Sequence, residues 1–231
     1  MKKWLLLGMV LALAGCQPQG NSPEVAEENA QPSVLVTKKT AEEKPQESAY
    51  VPQVGDVLFQ SLPASPLVDA IEDATASPYS HCGILAKHEG RWVVLEALGS
   101  VRRTPLEQWI LQGRGAGVEV YRFDNELAEE IPAIIVAAEE FLGRPYDMRY
   151  RMDDESIYCS ELVYKAVKNA TGVTVGKLDK LGDLDWRGHE ALIRSIEGGT
   201  LPLEREMISP RALTESPRLH KVFGEIPPRE K

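Results

Sequence analysis

From residue 50 onward, apolar and polar positions alternate in short blocks cut by glycine and proline. This is the pattern of strands and short helices sharing one core. Val54-Gly55-Asp56-Val57-Leu58-Phe59-Gln60 reads as a turn entering a strand. Ser65-Pro66 supplies an N-cap and a first-turn proline, and Leu67, Ala70, Ile71 and Ala74 recur at helical spacing. A short helix is therefore expected over 66–75, ended by Ser77-Pro78. Segments 79–87 and 92–98 read as strands joined by a turn at Glu89-Gly90, and 118–123 as another strand. A helix is predicted over 128–142, apolar at Ile131, Ile134, Ile135, Ala138 and Leu142, with Pro132 in its first turn and Gly143 and Pro145 at its end. A polar loop over 146–155 leads to a helix that opens near Cys159 and buries Leu162, Val163, Ala166 and Val167. After Gly172 the pattern is irregular, with a helix expected over 189–196 and a last short one from Ser209-Pro210.

The hairpin predicts a pairing. With the turn centred on Glu89-Gly90, residues whose numbers sum to 179 face each other, so Gly83 lies opposite Glu96. Glu96 is then a diagonal neighbour of His81 on one sheet face. A one-residue slip would move Glu96 to the face of Cys82.

The N-terminus has a different character. Met-Lys-Lys precedes an apolar run over 4–14 that is too short to span a bilayer, the form of a signal peptide. It ends in Leu13-Ala14-Gly15-Cys16, which resembles the bacterial lipobox. That resemblance implies lipidation of Cys16 and a membrane anchor. Gln17 stands where an aspartate would signal inner-membrane retention, so the outer membrane facing the periplasm is expected. Residues 17–49 are rich in Pro, Gln, Glu, Ser and Asn and read as a flexible tether. That leaves 50–231 as one domain. The net charge of −9 and the lack of a basic stripe argue against a nucleic-acid partner.

The chemistry centres on Tyr158-Cys159-Ser160-Glu161. A cysteine at a helix start feels unpaired backbone N–H groups and the helix dipole, both of which favour the thiolate. His81 is the candidate base, Glu96 the group that fixes its tautomer, and the Cys159 backbone N–H a natural oxyanion donor. Tyr79, Tyr146 and Gln60 are further candidates to touch substrate or oxyanion. A small buried cysteine and a satisfied core histidine would account for the same residues without catalysis. Cys82 could pair with Cys159 in an oxidising compartment, although strand alternation aims it away from the His81 face. His88, His189 and His220 read as solvated, and Trp92, Trp109 and Trp186 as packing residues. No metal-ligand spacing occurs, and thiol catalysis needs no cofactor.

The blocks Gly55-Asp56-Val57-Leu58-Phe59, Tyr79-Ser80-His81-Cys82-Gly83-Ile84, Leu95-Glu96-Ala97, Gly143-Arg144-Pro145-Tyr146-Asp147 and Tyr158 to Tyr164 together resemble the YiiX-type permuted papain-like family of the NlpC-type superfamily. The resemblance covers most of 54–167 and implies an α+β, circularly permuted papain-like domain in which a small antiparallel sheet carries the histidine and a helix the cysteine. It implies Cys159 as nucleophile, His81 as base and Glu96 as the third polar residue. Cys82 stands where the family commonly has a small apolar residue. The segment after Gly172 matches poorly, apart from Ile208-Ser209-Pro210.

The leading expectation is an envelope-anchored thiol hydrolase of peptide or isopeptide bonds, with a small peptide or cell-wall fragment as substrate. An acyltransferase or lipid or thioester hydrolase using the same cysteine ranks second, because no long apolar loop is evident to receive a chain. A non-catalytic binding lipoprotein ranks third. Oligomeric state is not legible.

Overall fold

A computed structural model of the protein describes residues 50–229. The expectations for the signal peptide, Cys16 and the tether over 17–49 lie outside the described residues. The chain runs β1 (Val57–Gln60), α1 (Pro66–Ala74), β2 (His81–His88), β3 (Arg91–Leu98), β4 (Ser100–Pro105), α2 (Leu106–Gln112) and β5 (Val118–Phe123). It continues through α3 (Asn125–Ala128), α4 (Ile131–Glu139), α5 (Cys159–Thr171), β6 (Asp179–Lys180), α6 (Glu190–Glu197), β7 (Glu206–Met207), α7 (Pro210–Thr214) and β8 (Leu219–Glu225).

Six strands form one antiparallel sheet in the order β4-β3-β2-β1-β5-β8. This α+β sheet is larger than the one expected, because the edge strands β4 and β8 were not anticipated. The hairpin register is the expected one, with Gly83 opposite Glu96 and Lys87 opposite Trp92. The helix expected over 128–142 is α4, shorter at both ends, and a separate one-turn helix, α3, precedes it. Asp124 caps α3 through the N–H groups of Glu126 and Leu127, and the chain turns before Pro132 opens α4.

Both sheet faces are covered. On one, Phe59, Cys82, Ile84, Leu95 and Ala97 pack with Ile134 and Ala138 of α4 and with Leu162, Val163 and Val167 of α5. On the other, Leu58, Leu85, Val94 and Val120 meet Trp109 of α2. A seven-residue helix is not stable alone. Trp109, fully buried, pins α2 to the sheet, and a buried aromatic of this size is worth about 3–5 kcal/mol by truncation.

Candidate active site

Gly99, at φ 73°, makes the one-residue turn that folds β4 back on β3 and pairs Leu98 with Ser100. The far edge of β4 is tied to the loop after α4. Val101 N–H donates to Arg144 O at 2.8 Å, Gly143 N–H to Val101 O at 2.9 Å, and Tyr146 N–H to Gly99 O at 3.0 Å. The Gly-Arg-Pro-Tyr block is thereby fixed against the sheet.

His81 opens β2 and is 1 % exposed. Its Nε2 lies 2.6 Å from Glu96 Oε2, and its ring stacks on Trp109 at a centroid distance of 5.9 Å. With Nε2 committed to Glu96, Nδ1 is the nitrogen free to exchange a proton. Gly83 makes room for this diagonal pairing, since a Cβ there would lie 2.5 Å from Val94 Cγ1 and 2.7 Å from Leu95 O.

Glu96 is a hub. Besides His81 it accepts from Arg102 Nε at 3.0 Å, from Gln112 Nε2 at 2.9 Å and from the Thr104 hydroxyl. Burial alone would raise its carboxyl. The donors from His81, Thr104 and Gln112 outweigh that and hold it at about 2. For His81, burial disfavours the charged ring, but Cys159 and Glu96 favour it more and raise it to about 9.

Cys159 is the first residue of α5, so its own N–H and the next ones lack partners within the helix. The helix entry is tightened by Tyr158 N–H, which donates to Glu161 Oε2 at 3.1 Å. The Cys159 thiol is held well below its ordinary value, first by the Cys82 thiol and then, against burial, by His81. Cys82 shifts the other way: burial and the neighbouring Cys159 sulfur keep it protonated. These directions favour the Cys159 thiolate and the charged His81 ring over their neutral forms.

Cys82 therefore sits closer to the chemistry than strand alternation suggested. Alternation does send Cys82 to the face opposite Trp109, but α5 packs on that face. The first residue of α5 lies at the sheet end, where it meets both Cys82 and His81. Among the described residues, Cys82 and Cys159 form no disulfide.

Other expected residues are placed differently. Tyr79 donates its hydroxyl to Glu119 Oε2 at 2.7 Å. Gln60 pairs with His81 across β1 and β2, is fully buried, and packs against Gly113 on the Trp109 side; its amide finds no hydrogen-bond partner among the described residues. Gln60 therefore offers no surface to a substrate. Tyr146 lines a cavity beside His81 and pairs its hydroxyl with that of Tyr150 at 3.1 Å.

Tyr150 was missed, as were Arg102, Thr104 and Gln112. Tyr150 lines a cavity with Cys159, packs in a tilted arrangement on Tyr158 at a centroid distance of 4.7 Å and adopts φ 54°, an uncommon conformation for a tyrosine. Its available signal was its spacing of four from Tyr146. Of the remaining histidines, His88 and His220 are exposed, and His189 bonds Asp73 at 3.1 Å.

The family described as "Permuted papain-like amidase enzyme, YaeF/YiiX, C92 family" matches residues 51–223. The protein YiiX of Escherichia coli (strain K12) is 37% identical over 182 residues, which cover 78% of this chain and 90% of YiiX. The crystal structure of the metalloprotein YiiX from Escherichia coli O157:H7 superposes with a TM-score of 0.73 at 37% identity, covering 77% of this chain and 100% of that one. Among the described residues here, no group of three or more His, Cys, Asp or Glu side chains is placed to hold a metal ion. With its α+β fold and its match across most of the sequence, the chain belongs to the permuted papain-like amidase family and is a cysteine-type amide hydrolase.

Proposed function

We propose that Cys159 is the nucleophile, His81 the general acid and base, and Glu96 the residue that orients His81, in hydrolysis of a peptide or isopeptide amide. One observation carries this reading: the buried His81–Glu96 pair at 2.6 Å meets the first residue of a helix, and that residue is a cysteine. The Cys159 sulfur attacks the carbonyl carbon, and the oxyanion is received by the unpaired N–H groups at the start of α5. His81 passes its proton to the departing amine. The freed imidazole then takes a proton from water, which cleaves the thioester and restores the thiolate. Glu96 keeps Nε2 occupied throughout, so that the exchange runs through Nδ1.

The lipobox-like Cys16 supports placement in the bacterial envelope, anchored by lipid, with the tether extending the domain toward a peptide-bearing substrate. Mass analysis of the mature N-terminus checks the anchor; an unmodified Cys16 in membrane fractions would sink it.

The test of the site is the rate of Cys159 alkylation against pH, read by peptide mapping so that Cys82 and Cys16 are resolved from it. Fast alkylation well below the free-thiol range of about 8.5, shifted upward in His81→Ala, supports the pair. An ordinary thiol titration indifferent to His81→Ala refutes it.

A further inference from the structure

Two thiols meet where α5 docks on β2, and only one of them borders open space. Cys82 is the second residue of β2 and is fully buried, with Phe59 as its cross-strand partner. Cys159 opens α5 and is 3 % exposed. Both belong to the same core cluster. The Cys82 thiol and the Cys82 backbone N–H each lie within hydrogen-bond reach of the Cys159 sulfur, and so does the His81 ring. Side chains that point at each other across such a contact meet the first requirement of a disulfide. Access to the two sulfurs differs. Cys159 lines a cavity of about 850 Å³ at the start of α5. Cys82 lines neither that cavity nor the one of about 500 Å³ beside His81.

This asymmetry fixes an order of events. A small solute arriving from solvent reaches Cys159 first, and reaches Cys82 only through it. The forms of the two groups suit that order. Cys159 is held toward the thiolate, the form that reacts with oxidants, and Cys82 toward the thiol. A reactive thiolate by itself is at risk. Its first oxidation product, the sulfenic acid, is reversible, but the sulfinic and sulfonic acids beyond it are permanent losses of the nucleophile. A second thiol in contact diverts the sulfenic acid into a disulfide before that happens. Amide hydrolysis itself asks for one cysteine only, so the second has no part in the steps described above.

We propose that Cys82 and Cys159 are a reversible redox pair: a peroxide oxidises Cys159, Cys82 closes the disulfide, and a dithiol reopens it. This rests on the reading of Cys159 as the reactive nucleophile. In the first step the Cys159 sulfur attacks one peroxide oxygen. The S–O bond forms as the O–O bond breaks, and the departing hydroxide takes the proton of His81 and leaves as water. Cys159 is then a sulfenic acid, oxidised by two electrons, and the peroxide is reduced. In the second step the Cys82 sulfur attacks the Cys159 sulfur. The S–S bond forms as the S–O bond breaks, and hydroxide leaves with the Cys82 proton as a second water. A dithiol returns two electrons and two protons and is itself oxidised to a disulfide. While the bond is closed the nucleophile is occupied and hydrolysis stops.

The test treats the folded full-length chain with hydrogen peroxide, then maps its peptides by mass before and after dithiothreitol. Wild type is compared with Cys82→Ala and Cys82→Ser, two small replacements, each checked for folding by circular dichroism. The expected wild-type product is the Cys82 peptide joined to the Cys159 peptide, lighter by two hydrogens. Dithiothreitol should restore alkylation of Cys159 to within about twofold of the untreated protein. In both variants Cys159 should instead carry two or three oxygens, and its alkylation after dithiothreitol should stay at least about tenfold down. Sulfinic or sulfonic acid on Cys159 of the wild type, to the same extent as in the variants, overturns the pair and leaves the thiol reading standing. So does a disulfide from Cys159 to Cys16 in place of Cys82, or a Cys82–Cys159 bond that forms only in denatured protein. A Cys159 left unoxidised by peroxide that oxidises free cysteine overturns the reactive thiolate, and the proposal with it.

Discussion

Glu96 and Glu161 are both fully buried, one beside His81 and the other two residues after Cys159. Their carboxyls nevertheless move in opposite directions, Glu96 to about 2 and Glu161 to about 7. Burial penalises both. The difference is in the donors. Glu96 accepts from His81, Arg102, Thr104 and Gln112. Glu161 accepts from Tyr158 N–H and has Lys165 Nζ 2.7 Å away. An ammonium has three N–H groups, and those of Lys165 go to Met152 O, Asp153 O and Asp154 Oδ1. A cation shared among so many acceptors, with Asp147 adding repulsion, does not offset the burial of Glu161. The lesson is that a buried acid is kept charged by directed donors more than by proximity of charge.

The largest effect expected from this contrast is in Glu96→Ala. It strands His81 and leaves three donors unpaired, and should lower kcat/KM by about 10²–10⁴-fold. It should also cost about 3–5 kcal/mol of folding stability, measured by denaturant unfolding. An effect no larger than that of Glu161→Ala would break the comparison.

Next is the pH profile. His81 serves as proton donor only while charged, so kcat/KM should fall as pH rises through about 9. Glu96→Gln should move that limb to lower pH, since the carboxylate helps to raise His81. The stability that the charged His81 contributes is complete below its ordinary 6.5 and lost as pH rises through about 9. Glu96 works from the other side. Its contribution is complete above the ordinary 4.5 and fades as pH falls toward about 2. An alkaline limb that stays in place in Glu96→Gln would detach Glu96 from His81.

Lys165→Met should be intermediate. It removes the cation beside Glu161 and frees two backbone carbonyls, and should cost about 1–3 kcal/mol at pH 8, read from urea midpoints. The smallest effect belongs to Glu161→Gln. The wild-type carboxyl favours the folded state when protonated, so its contribution declines as pH rises from 4.5 through about 7. The amide should flatten that slope, with a change at neutral pH within about 1 kcal/mol. A steeper slope in the variant would mean that Glu161 is better satisfied than its partners indicate.

Much of the site was legible because it lies where local rules are strong. The Glu89-Gly90 turn fixed the hairpin register, and the register put Glu96 diagonal to His81. The start of α5 was marked by the apolar spacing after Cys159. What escaped notice has weak local signals. Strand β4 reads Ser-Val-Arg-Arg-Thr-Pro, an edge strand with only Val101 and Thr104 buried, and α2 is too short to show a helical period. Arg102, Thr104 and Gln112 come from these two elements, so three of the four donors to Glu96 were invisible. Strand β8 is similarly polar at an edge. Cys82 shows a different limit. Alternation assigns a side chain to a face, but it does not say which helix end will arrive there.

The Glu96 hub also has a bearing on the order in which the chain assembles. Its bonds to Arg102, Thr104, His81 and Gln112 span only 6, 8, 15 and 16 residues. Short loops close early and at small entropic cost, so the hairpin, β4 and α2 form a unit of low contact order. Cys159 joins only when α5 docks from far along the chain. The imidazole would then be seated before the sulfur reaches it, and the cysteine would keep an ordinary, sluggish thiol until the last long-range contact is made. A nascent chain would thus keep its reactive group dormant until the fold is complete.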